Sequence, residues 1–164
     1  MPSPELSIAP LESMPSPPYK TPDHDLSLIY STSKRMESLC VKLKGLGLAS
    51  AQVGLPWRMF VANPFGDGFQ CYFDCEYEPL SEEKRTSVEG CLSLPGRQYA
   101  VQRYDAVRVR GMRLLEGDDR PESRPFSCEF YGAAAVLMQH EIDHDKGRAR
   151  MIDSIGSRVF PAWL

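Results

Sequence analysis

His140-Glu141-Ile142-Asp143-His144 places two imidazoles four residues apart, with a carboxylate between them. On a helix that spacing puts both rings on one face about one turn apart, so they can bind one metal ion. Glu141 reaches the same side, where it can take a proton from a water that the metal acidifies. Read only as structure, the same stretch is a charged helix with two coincidental histidines.

Two histidines leave a catalytic metal site incomplete, because an open site has three protein ligands and a water. Beyond the motif, only Asp145 and Asp153 offer a downstream carboxylate, with no further histidine or glutamate. That removes the downstream ligand of the common His-Glu-x-x-His proteases. Upstream lies Glu89-Gly90-Cys91-Leu92-Ser93-Leu94-Pro95-Gly96. A cysteine beside a glycine in a tight loop can offer a thiolate with backbone N–H groups nearby; the plainer alternative is a buried cysteine in a turn. A third segment, Gly45 to Gly54, brings small residues and the Gln52 amide, which could donate to a developing oxyanion. Without a G-x-G-x-x-G spacing it is no dinucleotide loop, and as structure alone it is a glycine-rich approach to a strand.

The elements that must carry these groups follow from periodicity. Apolar residues at Gly132–Asp145 predict the metal-binding helix, stopped by Gly147. Leu26, Ile29, Tyr30, Ser33, Met36, Leu39, Cys40 and Leu43 recur at three and four, predicting a first helix capped by Asp23 or Asp25 and ended by Gly45. Residues 47–62 read as strand–turn–strand, and Phe69, Cys71, Phe73, Cys75 and Tyr77 alternate as one face of a strand. Glu82–Arg85 reads as a solvated turn, Tyr99–Arg103 and Ala106–Arg110 as paired strands, Met112–Leu115 as a further short strand, and Glu116–Pro125 as a loop. Phe126–Phe130 is then the last strand. Helix, several short strands, then helix predicts an α+β fold.

Composition excludes several classes. The chain has 164 residues, 42% hydrophobic and 25% charged, expected as one domain with its own core. Seven of the fourteen prolines precede Asp23, so residues 1–24 are expected as an extended Pro/Ser-rich arm. A net charge of −3 gives no pull toward nucleic acid, and no apolar run suits a membrane. The N-terminus lacks the features of a secretion signal, and five cysteines form no tidy framework, so a reducing cytoplasm is expected.

Together the three segments resemble the peptide deformylase family. Its motifs, G-φ-G-φ-A-A-x-Q, E-G-C-φ-S and H-E-x-D-H with φ hydrophobic, stand here at 45–52, 89–93 and 140–144 in the same order. The resemblance covers most of residues 25–155 and implies a short-stranded fold around the metal helix. It implies hydrolysis of the N-formyl group from formyl-methionine on new polypeptides, releasing formate. Cys91, His140 and His144 match the metal ligands, with Fe(II) the usual ion and Zn, Ni or Co able to replace it. Glu141 matches the general base and acid; Gln52 and the Leu92 N–H match the donors to the formyl oxygen. The peptide is expected to bind extended along Leu46, Gly47 and Gly90, with Leu46, Val136 and Leu137 around the methionine. Glu89 and Arg103 match an ion pair behind the cysteine loop, and Asp143 is expected to support rather than bind metal.

Ser50 stands where the first motif has its second alanine, and Phe73-Asp74-Cys75-Glu76 departs from the Asn-Pro common before the second motif. Only 20 residues follow His144, as in compact members, some of them phage-encoded; ribosome docking through a long C-terminal helix is not expected. Two rivals remain at this level. A zinc endopeptidase would cut internal peptide bonds. A structural zinc module would use Cys71, Cys75 and the histidines, the two cysteines sharing a face of a regular strand.

Overall fold

Residues 5–22, 25–146 and 158–161 are described by a computed structural model. Helix α1 spans Leu26–Lys42; its Asp25 carboxylate accepts from the Leu28 N–H at 2.8 Å, satisfying one of the orphan donors of the first turn. Asp23, the other expected cap, lies outside the described residues, as does Gly147. At the far end the left-handed residue is Lys44, φ 58°, and the Gly45 N–H donates to the Cys40 carbonyl at 2.9 Å. Ile29, Met36 and Cys40 form the buried stripe of α1.

Strands β1 (Gly47–Ala49), β2 (Met59–Ala62) and β3 (Gln70–Pro79) follow, then β4 (Lys84–Glu89), β5 (Arg97–Tyr104), β6 (Ala106–Leu115) and β7 (Glu122–Tyr131). Helix α2 spans Gly132–Asp145, and β8 spans Arg158–Pro161. Every pairing is antiparallel. One sheet runs β1-β2-β3-β6-β7 and the other β4-β5-β8, so the α+β expectation holds. Among the described residues, no helix is long and apolar enough to cross a membrane.

Two cores flank the larger sheet. On one face α2 packs Ala134, Ala135, Met138 and Ile142 against Phe60, Tyr72, Cys75, Val107, Val109 and Phe130. On the other, α1 covers Leu48, Met59, Val61, Cys71 and Phe73, with Leu6 and Ile8 of the arm packed alongside. Helix α2 is buried nearly all round from Met138 to Asp145, so it runs through the molecule as a central support rather than along its surface.

Several local expectations change. Tyr99–Arg103 and Ala106–Arg110 do not pair with each other: β5 joins β4 and β8, whereas β6 joins β3 and β7. Only Asp105 separates β5 from β6, too little for even a two-residue hairpin loop, so the chain bends from one sheet into the other. Lys84 and Arg85 open β4 instead of forming a turn. As a sheet-edge strand, β4 keeps charged side chains in solvent and shows no apolar alternation. Met112–Leu115 continues β6. β7 begins at Glu122 and takes in Pro125, which an edge strand tolerates because one side of its backbone needs no partner.

The strand containing both cysteines is not regular. Between Phe73↔Met112 and Glu76↔Arg110, two residues of β3 oppose one of β6, and Asp74 takes φ 52°. This bulge reverses the alternation, sending Cys71 and Phe73 to the α1 core and Cys75 to the α2 core. Gly111 sits opposite, where an added Cβ would lie 2.9 Å from the Cys75 Cα. Cys71 and Cys75 therefore cannot share an ion, which removes the structural zinc module. The expectation about a C-terminal helix concerns residues 147–164, of which only 158–161 are described.

Candidate metal centre

Three elements bring the centre together. Helix α2 supplies His140, Glu141 and His144; the loop between β4 and β5 supplies Cys91; the short 3-10 turn Ser50–Val53 after β1 supplies Gln52. Cys91 Sγ and one ring nitrogen from each histidine all lie within 4.8 Å of one another, and all three residues are buried. His140 Nε2 and His144 Nε2 face each other at 3.2 Å, with Cys91 Sγ 3.5 Å from His144 Nε2. A tetrahedral ion with ordinary metal–nitrogen and metal–sulfur bonds asks for separations of about 3.3 and 3.6 Å. The donor set therefore fits one soft-to-borderline divalent metal.

The surroundings prepare those donors. His140 Nδ1 lies 2.9 Å from Glu89 Oε1; a carboxylate only accepts, so Nδ1 carries the proton and Nε2 keeps its lone pair for a metal. Burial pushes the Cys91 thiol up, but the neighbouring His144 and His140 bring it well below its ordinary value. The shift favours the thiolate, the form that binds metal.

Behind the loop, Arg103 makes a two-pronged bond to Glu89, Nε to Oε2 and Nη2 to Oε1, both 2.8 Å. Its Nη1 reaches Asp143 at 2.6 Å, and Tyr77 donates to Asp143 at 3.2 Å. Burial would raise Glu89, yet the hydrogen bonds and charge of Arg103, with those of His140, bring it down to about 2. The expected Glu89–Arg103 pair is present and extends further than expected: Asp143 binds Arg103, while Glu89 reaches His140. Glu89 thereby links this network directly to the metal site. The signal for that link was Glu89 standing immediately before Gly90-Cys91.

Glu141 is 2% exposed, and among the described residues its Oε2 has no hydrogen-bond partner. Burial raises its carboxyl above the ordinary range, partly opposed by His140 and His144. An orphaned carboxylate oxygen beside three metal donors needs a donor such as a water. Gly47 lies directly against it: an added Cβ would fall 2.8 Å from the Glu141 Cδ.

The Gln52 amide is oriented from both ends. Its Oε1 accepts from the Ala49 N–H at 2.9 Å, and its Nε2 donates to Ser93 Oγ at 3.0 Å and toward Cys91 Sγ at 3.4 Å. Ser93 had no expected role; its place in the Glu-Gly-Cys-Leu-Ser segment was the available clue. The arm supports the same turn, as the Ala9 N–H donates to the Gln52 carbonyl at 2.8 Å. Leu92 follows Cys91 in a turn closed by the Leu94 N–H on the Cys91 carbonyl, 2.9 Å.

A groove of about 870 Å³ opens above the centre, with His140, Glu141, Cys91 and Gln52 among its lining. Leu46, Gly47, Gly90, Val136 and Leu137 line it too, so all five expected substrate-contacting residues meet at one opening. It runs beside two unpaired sheet edges, β1 and β4. Asp145, also buried, has both carboxylate oxygens without a hydrogen-bond partner among the described residues, and no role follows from its sequence position.

A sequence model of polypeptide deformylase matches residues 13–158. The peptide deformylase of Rhodopirellula baltica is 36% identical over 129 residues, covering 77% of this chain and 60% of that protein. That of Helicobacter pylori strain J99 is 35% identical over 124 residues, covering 68% and 64%. The chain thus spans about three fifths of the length of the curated relatives it matches. Among solved structures, peptide deformylase from Thermotoga maritima superposes with a TM-score of 0.74 at 26% identity, covering 88% of this chain and 94% of that one. The Synechococcus elongatus enzyme, solved in complex with actinonin, gives 0.74 at 25% identity, covering 90% and 77%. Motifs, fold and matched length agree: the chain belongs to the polypeptide deformylase family.

Proposed function

We propose that this protein hydrolyses the N-formyl group of formyl-methionine at the start of new polypeptides, releasing formate, in a bacterial cytoplasm (a host's, if the chain is phage-encoded). The observation that carries this reading is the orphaned Glu141 Oε2 beside Cys91, His140 and His144 at the floor of an open groove. Cys91, His140 and His144 hold the metal, for which Fe(II) is our proposal and Zn, Ni or Co are substitutes. Once bound, the metal supplies Lewis acidity and a water that ionises near neutral pH.

The rest is done by side chains and backbone. Glu141 takes the proton of the attacking water and passes it to the leaving amine. The Gln52 Nε2–H and the Leu92 N–H donate to the formyl oxygen as it gains charge. Leu46, Val136 and Leu137 enclose the methionine side chain, while Gly47 and Gly90 leave backbone free to pair with an extended peptide. Glu89 and Arg103 hold His140 and the cysteine loop in position.

The direct test is formate release from formyl-Met-Ala-Ser by protein purified in reducing, oxygen-poor buffer and loaded with Fe(II). Turnover is expected. Absence of formate from metal-loaded protein, or cleavage of internal bonds in unformylated peptides, overturns the reading. Cys91→Ser should lose bound metal, whereas Cys71→Ser with Cys75→Ser should retain it; metal analysis of both proteins decides. Gly47→Ala pushes a Cβ into Glu141, and a misplacement of the base of this order costs about 10²-fold in kcat. Bound metal should be unchanged, so a normal kcat would contradict the close packing.

A further inference from the structure

The groove has a charge asymmetry that hydrolysis of the formyl group does not use. Its acidic lining residues, Glu89 and Glu141, are both buried at the floor. Its exposed charges are all positive: Lys44, Arg85 and Arg97. Arg85 is tied to Asp105 at 2.9 Å. Lys44 and Arg97 form no ion pair among the described residues, on a protein whose net charge is −3.

The two cations stand on separate segments. Lys44 lies in the corner between α1 and β1, two residues before Leu46, and Arg97 opens β5 directly after the Pro95-Gly96 turn of the cysteine loop. The same groove is lined by apolar groups: Leu46, Leu92, Leu94, Val136 and Leu137. An extended chain advances about 3.3 Å per residue, so a peptide whose formyl-methionine fills the floor carries its next few side chains past this mouth. Unpaired cations there attract acidic side chains and repel basic ones, and they speed the encounter with negatively charged peptides.

We infer that Lys44 and Arg97 make the enzyme selective for polypeptides with acidic residues shortly after the formyl-methionine. This rests on the deformylase reading and adds the class of substrate that the site prefers.

The test compares three amidated peptides, so that no terminal carboxylate confuses the result: formyl-Met-Ala-Asp-Glu-amide, formyl-Met-Ala-Asn-Gln-amide and formyl-Met-Ala-Lys-Lys-amide. At low ionic strength kcat/KM should fall in that order, with about 3- to 10-fold between the acidic and neutral peptides, as expected for two exposed ion pairs. Most of the difference should lie in KM. Added salt at about 0.5 M should compress it to less than about 2-fold, because exposed charges are screened. Lys44→Glu with Arg97→Glu should reverse the order, so that the lysine peptide becomes the better substrate. Equal kcat/KM for all three peptides, or an acidic preference that survives the double reversal, overturns the inference while leaving the deformylase reading intact. Failure to hydrolyse any of the three overturns that reading and this inference with it.

Discussion

Glu141→Gln should leave a folded protein that binds its metal and releases formate at least about 10³-fold more slowly, within the range of a lost general base. The substitution keeps the shape of the side chain against Gly47 but removes its ability to take and return a proton. Among the described residues Glu141 Oε2 has no hydrogen-bond partner, and burial disfavours the ionised form. Thermal stability should therefore stay level or rise, as is common where an active site holds an unfavourable group. Single-turnover formate release, metal analysis and a melting curve on one preparation separate these effects. Turnover near normal would remove Glu141 from the mechanism, and loss of metal would make it a ligand instead.

The second large effect is on stability. Arg103 is 2% exposed and neutralises both Glu89 and Asp143, which are themselves buried. Arg103→Leu removes the buried cation that bridges Glu89 and Asp143, and breaking a buried pair of this kind costs about 3–5 kcal/mol. For a domain of this size, that lowers Tm by roughly 10 °C or more. Adding Glu89→Gln and Asp143→Asn should recover much of the stability, because the two carboxylates that Arg103 neutralised are then uncharged. Metal binding should not recover with it. Glu89 also sets the His140 tautomer, and losing such a partner weakens metal affinity about 10- to 100-fold. A melting point for Arg103→Leu within a degree or two of the parent would show that the network is solvated rather than buried.

The parts legible in the sequence were those written in local spacing. Helix α2 has the expected bounds because its run of helix-forming residues, Ala133–Met138, and the i,i+4 spacing of its two histidines are both local features. The Asp25 cap is legible for the same reason. Cys91 and Gln52 were legible only through the resemblance, since a cysteine in a turn and a glutamine after a glycine-rich stretch each have ordinary structural explanations.

The pairings escaped because they join distant residues. β4 carries polar side chains along a sheet edge, so no hydrophobic period marks it. β5 and β6 look like partners by proximity, and only the single residue between them argues otherwise. The Cys71–Cys75 spacing predicts one shared face, but a bulge across from Gly111 places the two thiols in different cores. A one-residue change of register reverses every later side chain, and no composition signal in β3 announces it.

The sequence by itself determined the donor types and the order in which they arrive: Gln52, then Cys91, then His140, Glu141 and His144. The i,i+4 spacing also determined that both histidines share a face, because that follows from the helix period alone. Tertiary structure decided the rest. It brought Cys91 to 3.5 Å from His144 across 53 residues of chain, turned the Gln52 amide nitrogen toward the thiolate, and set Glu89 against His140. It also left Lys44 and Arg97 unpaired among the described residues at the groove mouth. These distances depend on how two sheets and a central helix pack, and packing depends on the chain as a whole rather than on any one motif.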